Sequence, residues 1–165
     1  MIILTLDFEG SLKNGIREIG AITSKDEKII RVEEKVINEN QSCTNILINM
    51  LRDRPQLFAS HNVQTEKNLL KKYLPYSNEN KQSKNILWGP WIDTMEVYKI
   101  LYPQIDQYDL PYLTNLFIKE KSLEFGTKNC KKGKISHHNA LYDALCTFLL
   151  LRRIIGKVNI RPFIH

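Results

Sequence analysis

The hydrophobic and polar positions divide the chain into short apolar runs and amphipathic stretches. Residues 2–6, Ile-Ile-Leu-Thr-Leu, are aliphatic and end at Asp7, which predicts a buried strand too short to be a helix. Gly10 to Gly15 predicts a turn. Residues 16–24 and 28–37, separated by Lys25-Asp26-Glu27, predict a hairpin that extends a sheet. A helix is expected from about Thr44 to Arg52, with Thr44 as N-cap, Ile46, Leu47, Met50 and Leu51 at helical spacing, and Pro55 closing it. Leu57-Phe58-Ala59-Ser60 predicts another short strand, and Asn62 to Tyr73 a polar-faced helix carrying Leu69 and Leu70. Ile86 to Ile92 predicts a further strand with Trp88 and Trp91, leading into a helix from Thr94 to about Tyr102. Asp109 to Ile118 reads as a helix capped by Asp109 with Pro111 in its first turn. A polar, basic loop is expected next, and the last strong element runs from His138 to Ile155.

Three strands followed by helices alternating with single strands predict an α/β fold, a mixed sheet covered by helices on both faces. On a wheel of about 100° per residue, Ala144, Leu145 and Phe148 fall to one side of Ala140 while Leu150 falls to the other, so the last helix is expected to be covered on both sides. The length of 165 residues and the hydrophobic content of 42% suit one globular domain, 1–165, with no repeat and no long low-complexity tract. No run of about 18 apolar residues predicts a membrane span, and no basic segment precedes the first apolar run as in a signal peptide. Cys43, Cys130 and Cys146 are odd in number and form no CxxC pair, which points to a reducing, cytoplasmic setting.

Charge is uneven. Residues 1–60 carry a net −1 and residues 61–165 a net +7. The densest stretch, Lys119 to Lys134, holds six lysines and two glutamates. It suggests a polyanion partner, with a solvated lysine-rich loop as the alternative.

Chemistry is expected at strand ends. Asp7 and Glu9 stand at i and i+2, so a strand places both carboxylates on one face with Phe8 on the other, an arrangement suited to a hard cation or to a solvated loop start. Asp143 lies on the stripe of the last helix that also carries Leu150. If buried, it requires a partner, either a lysine or a bound metal. His138 precedes Asp143 by five residues, about 140° away on a continuous helix, so it is placed at the helix start. His137 beside it reads as a surface residue. The glycines of residues 10–15 match no dinucleotide or P-loop fingerprint, and Ser11, Ser60 and Ser136 lie in no nucleophile elbow.

Four motifs occur in order: Leu4-Thr5-Leu6-Asp7-Phe8-Glu9 followed by Arg17-Glu18-Ile19-Gly20-Ala21-Ile22; Ala59-Ser60-His61-Asn62-Val63-Gln64-Thr65-Glu66; Trp91-Ile92-Asp93-Thr94; and His138-Asn139-Ala140-Leu141-Tyr142-Asp143. Together they resemble the DnaQ-like DEDDh 3′ to 5′ exonucleases of the ribonuclease H-like superfamily, over nearly the whole chain. The resemblance implies a five-stranded mixed sheet flanked by helices, two Mg²⁺ or Mn²⁺ ions, and release of nucleoside monophosphates from 3′ ends of single-stranded DNA or RNA. It implies Asp7, Glu9, Glu66 and Asp143 as metal ligands, His138 as general base, and Ser11, Leu12 and Asn62 as substrate contacts. Glu18 and Asp93 are then structural. A polymerase or other nucleic-acid-processing protein is an implied partner, and a non-catalytic nucleic-acid-binding or polymerase-docking module of the same fold is the alternative. Glu66 stands where the family usually has Asp, and Gly10-Ser11-Leu12 where it usually has Thr-Thr or Thr-Gly after the first Glu.

Overall fold

A computed structural model describes residues 1–38, 42–73, 89–131 and 133–165. Strands β1 (Ile2–Ser11), β2 (Gly15–Lys25) and β3 (Lys28–Val36) form an antiparallel meander. Helix α1 (Cys43–Met50) leads to β4 (Leu57–Ser60), α2 (Val63–Leu70) and β5 (Trp91–Asp93). Helices α3 (Thr94–Leu101), α4 (Leu110–Phe117), α5 (Glu120–Thr127) and α6 (Ala140–Ile154) follow. The sheet order is β3-β2-β1-β4-β5, with β4 parallel to both β1 and β5. This is the expected α/β architecture, a mixed five-stranded sheet with helices on both faces.

Alternation along β1 decides which helix meets which face. Leu4, Leu6 and Phe8 pack with Ile19 and Ala21 of β2 against Leu47 and Met50 of α1 and Leu69 and Leu70 of α2. The other face receives α6, in which every residue from Ala140 to Leu151 is buried. One flank of α6, Leu141, Leu145, Phe148 and Leu149, packs on Ile22, and the other, Tyr142, Cys146, Leu150 and Ile154, packs with Ile3, Ala59 and Ile92. A helix apolar nearly all round is the expected consequence of cover on both sides.

The start of α6 sits directly on β2. A Cβ at Gly20 would overlap the carbonyl carbon and oxygen of Ala140 and the backbone nitrogen of Leu141. Gly20 is paired with Asp7 across the β1/β2 ladder, so the missing side chain lets α6 approach beside that carboxylate.

Several expectations are corrected. β1 continues to Ser11 rather than stopping before Asp7, because Gly10 and Ser11 still pair with Ile16 and Gly15 beyond a bulge at Glu9/Gly10, leaving only residues 12–14 as the turn. The cap of α1 is Ser42, whose hydroxyl accepts from the Asn45 N–H at 3.3 Å, not Thr44. The basic stretch is not a loop throughout, since α5 occupies its first half. Trp88 and the rest of the expected strand before residue 89 lie outside the described residues. The edge of β5 is covered by the last residues of the chain: Trp91 exchanges backbone hydrogen bonds with His165 at 2.8 and 2.9 Å. No helix among the described residues is long and apolar enough to cross a membrane.

Gly20→Ala is expected to force α6 off the sheet and destabilise the protein by about 2 kcal/mol or more, the scale of overpacking a tight core. Urea denaturation with an unchanged slope and a lower midpoint would report it.

Candidate active site

The bulge after Glu9 and the close seat of α6 bring one carboxylate-rich strand end against one helix start. Glu9, Asp143 and His138 each offer a ligand atom, and the three atoms lie within 4.8 Å of one another. Asp143 is 7% exposed and fixed at both oxygens. The His138 backbone N–H donates to its Oδ2 at 2.9 Å, and the His137 ring bonds its Oδ1 through Nδ1. His138 itself takes φ +68, a left-handed conformation uncommon for a residue other than glycine, and its side chain stays exposed beside Glu9.

Asp7 and Glu66 stand outside that tight group. Glu66 projects from the first turn of α2 and is 3% exposed, with Oε2 lacking a hydrogen-bond partner among the described residues. Burial pushes its pKa up to about 8, with Asp93 and Glu9 adding to the rise, while its own backbone N–H and that of Phe8 pull the other way. Asp7 is held well above the usual carboxylate range, first by burial and then by the charges of Glu66, Asp143 and Glu9. Glu9 is raised by burial and Asp143, against the opposing pull of His138 and Arg17. The guanidinium of Arg17 stays 3.8 Å from Glu9 on a largely exposed side chain. Crowded, desolvated carboxylates with so little counter-charge, an orphaned buried oxygen among them, are a donor set that fits hard oxygen-seeking cations such as Mg²⁺ or Mn²⁺.

The remaining expected residues divide. Leu12 projects into solvent, 64% exposed. The Ser11 hydroxyl accepts from the Asn14 N–H at 3.1 Å, and the Asn62 amide donates to Thr65 Oγ1 at 3.0 Å, so both polar groups serve local turns. A cleft of about 590 Å³ opens from Glu9 along Ser11, Asn14 and Arg17 to Tyr73. Asp93 caps α3 through the Met95 N–H at 2.9 Å and also accepts from the N–H groups of Asn62 and Val63 at 3.0 and 2.9 Å. It therefore holds the start of the helix that carries Glu66. The His61 ring donates from Nε2 to the Tyr108 carbonyl, with Nδ1 on the Thr94 hydroxyl, both at 2.8 Å, and burial lowers its pKa.

Two residues near the site differ from their sequence reading. His137 is not a surface residue: it is half-buried, bonds Asp143, and meets the Tyr142 ring edge-on at 5.0 Å. Its signal in the sequence is only adjacency to His138. Lys134 is not a solvated charge either. Its ammonium lies 2.8 Å from both Glu18 and Glu34, and Lys131 reaches Glu34 at 2.9 Å. Burial alone would raise Glu34, yet these two lysines hold it below the usual range. The clasp ties the segment just before His137 and His138 to β2 and β3, and Glu18 is the cross-strand partner of Glu9.

No family model matches the chain. It is 24% identical over 174 aligned residues to the PolC-type DNA polymerase III of Halalkalibacterium halodurans, across 92% of this chain. The chain spans 11% of that polymerase's length. Among solved structures it resembles an exonuclease X in complex with 5′ overhanging duplex DNA, with a TM-score of 0.59 and 20% identity over 92% of this chain and 89% of the other. The fold is therefore the ribonuclease H-like one found in DnaQ-like exonucleases.

Unfolded glutamates ionise near pH 4.5, whereas Glu66 in the folded protein keeps its proton to about pH 8. Between those values the unfolded chain releases a proton that the folded one retains, so stability without metal falls as pH rises through that window. Asp7 and Glu9 act in the same direction. In EDTA, the melting temperature is expected to fall more steeply between about pH 5 and pH 8 for the parent than for Glu66→Gln. Mg²⁺ or Mn²⁺ is expected to reduce that fall by binding the ionised carboxylates. Equal pH slopes for parent and variant would remove Glu66 from the titrating cluster.

Lys134→Met leaves Glu18 and Glu34 without their shared cation. Hydrogen exchange of the His138 amide is then expected to quicken about tenfold or more while the β1 core amides keep their protection, with Lys134→Arg close to the parent.

Proposed function

We propose that the chain is a metal-dependent 3′ to 5′ exonuclease, a single domain over residues 1–165, that releases nucleoside monophosphates from single-stranded DNA or RNA ends. The observation that carries this reading is the meeting of Glu9, Asp143 and His138 within 4.8 Å, together with the raised carboxyls of half-buried Asp7 and buried Glu66. The resemblance to DnaQ-like DEDDh exonucleases and the exonuclease fold support it. Asp7, Glu9, Glu66 and Asp143 are the residues that would hold two Mg²⁺ or Mn²⁺ ions, with Glu66 replacing the usual aspartate. Such ions supply charge neutralisation on the phosphodiester and lower the pKa of the attacking water.

The chain's own residues do the rest. His138, exposed and beside Glu9 and Asp143, accepts the water's proton at its imidazole. The His137 ring and the His138 amide hold Asp143 in one orientation. The cleft running from Glu9 past Ser11 receives the terminal nucleotide, and exposed Leu12 and Asn62, the N-cap of α2, are the further substrate contacts. The three cysteines, Cys43, Cys130 and Cys146, are free, which suits the proposed cytoplasmic setting. The polymerase relative supports a polymerase or other nucleic-acid-processing protein as a partner.

The test uses 5′-labelled oligonucleotides of DNA and RNA. A ladder shortening from the 3′ end with Mg²⁺ or Mn²⁺, and an intact strand in EDTA, is expected. His138→Ala should lower kcat by about 10² or more, the range of a positioned general base. Internal cuts in circular single strands would sink the exonuclease reading. Tight binding of the strands without cleavage would mark a non-catalytic nucleic-acid-binding module instead.

A further inference from the structure

Four lysines of the basic segment fall into two sets. Lys131 and Lys134 are engaged by Glu34 and Glu18. Lys121 and Lys128 have no ion-pair partner among the described residues, and they flank an aromatic ring. Helix α5 places Lys121, Phe125 and Lys128 at i, i+4 and i+7, one stripe of its surface. Phe125 is 70% exposed, the largest exposure among the big apolar side chains of the described residues, and the Lys128 ammonium sits over its ring at 5.5 Å.

The opposite side of α5 explains why this stripe faces out. Gly126 is buried, and a Cβ there would stand 2.7 Å from Leu145 Cδ1, while Leu123 packs beside it. The helix is therefore seated flush on α6 through Leu123 and Gly126. Leu145 is two residues beyond Asp143, about 3 Å along the same helix. The stripe is thus fixed to the element that carries the candidate site.

We propose that Phe125, Lys121 and Lys128 form a stacking platform for single-stranded nucleic acid. A base lies on the Phe125 ring and the flanking phosphates meet the two ammonium groups. An exposed aromatic flanked by two cations that no carboxylate pairs among the described residues matches this polymer in both of its repeating chemistries, because every base has a π-face and every linkage a negative charge, and a phosphate would draw the Lys128 ammonium off the ring face it now covers. A purely apolar partner would leave both cations unmatched, and the acids of α5 itself are Glu120 and Glu124. The proposal rests on the nucleic-acid reading of the site and adds a grip on the strand away from its end.

Binding is measured by fluorescence anisotropy in EDTA, with a 5′-fluorescein oligothymidylate of about 12 nucleotides, within the site sizes of single-strand binders. Phe125→Ala is expected to weaken binding about tenfold or more, the effect of losing one stacked base. Phe125→Trp should retain binding, with its added emission quenched by the oligonucleotide. Replacing Lys121 and Lys128 together by Gln should flatten the salt dependence by about 0.7 per lost phosphate contact. Phe125→Ala within twofold of the parent would overturn the platform. So would loss of self-association in sedimentation by Phe125→Ala with binding unchanged, which would make the stripe a contact between copies. Binding that depends on Phe125 in a protein that never cleaves would refute the exonuclease reading and leave the platform standing. Cleavage by the parent with Phe125-independent binding would do the reverse.

Discussion

The contact on which the site depends is the meeting of two backbones where a side chain is missing. At Gly20, β2 presents no Cβ, and the first residue of α6 is the small Ala140, so the helix start rests on the strand itself. Asp7 is the cross-strand neighbour of Gly20, and Asp143 is one turn into α6. Their mutual repulsion follows from that seat and would weaken with any larger residue in it. The rest of α6, buried from Ala140 to Leu151, supplies the apolar packing that holds two like charges together.

Acids elsewhere in the protein show what a structural carboxylate looks like. Glu18 and Glu34 share Lys134, Arg31 bridges Glu33 and Asp53, and Asp93 accepts three backbone N–H groups. In each case a cation or a set of donors meets the charge. For Asp7, Glu9 and Glu66 desolvation and neighbouring carboxylates outweigh the few opposing groups, and their pKa values rise. The residue types are the same, and only the neighbours separate a carboxylate that holds the fold from one suited to a metal.

Local patterns carried the elements and the linear motifs. The aliphatic run before Asp7, the period of two that pairs Asp7 with Glu9, and the apolar circumference of α6 are properties of neighbouring residues, so they were readable before any fold was known. The extension of β1 to Ser11 was not, because Asp7, Glu9 and Gly10 break the apolar run while pairing with β2 still continues. Lys134 reaches Glu18 across 116 residues, and the C-terminal residues reach Trp91 across nearly half the chain. Such contacts leave no periodic trace. His137 hid differently: a histidine next to the motif residue carries no mark that its ring, as well as the next residue's amide, grips Asp143.

Glu66 gains a physical role from the place where the sheet stops. β4 pairs with β1 only as far as Thr5, so among the described residues no strand satisfies the edge of β1 beyond it. The Ser60 hydroxyl, at the end of β4, donates to the Leu6 carbonyl at 2.9 Å. The Phe8 N–H next meets the Glu66 carboxyl, reached from the first turn of α2. Two side chains thus continue a ladder that the backbone has abandoned, at the residues that flank Asp7. The longer side chain of glutamate suits that reach from α2 to the strand edge. One oxygen facing Phe8 leaves Oε2 buried and unmatched, so the carboxyl joins β1 on one side and remains open on the other.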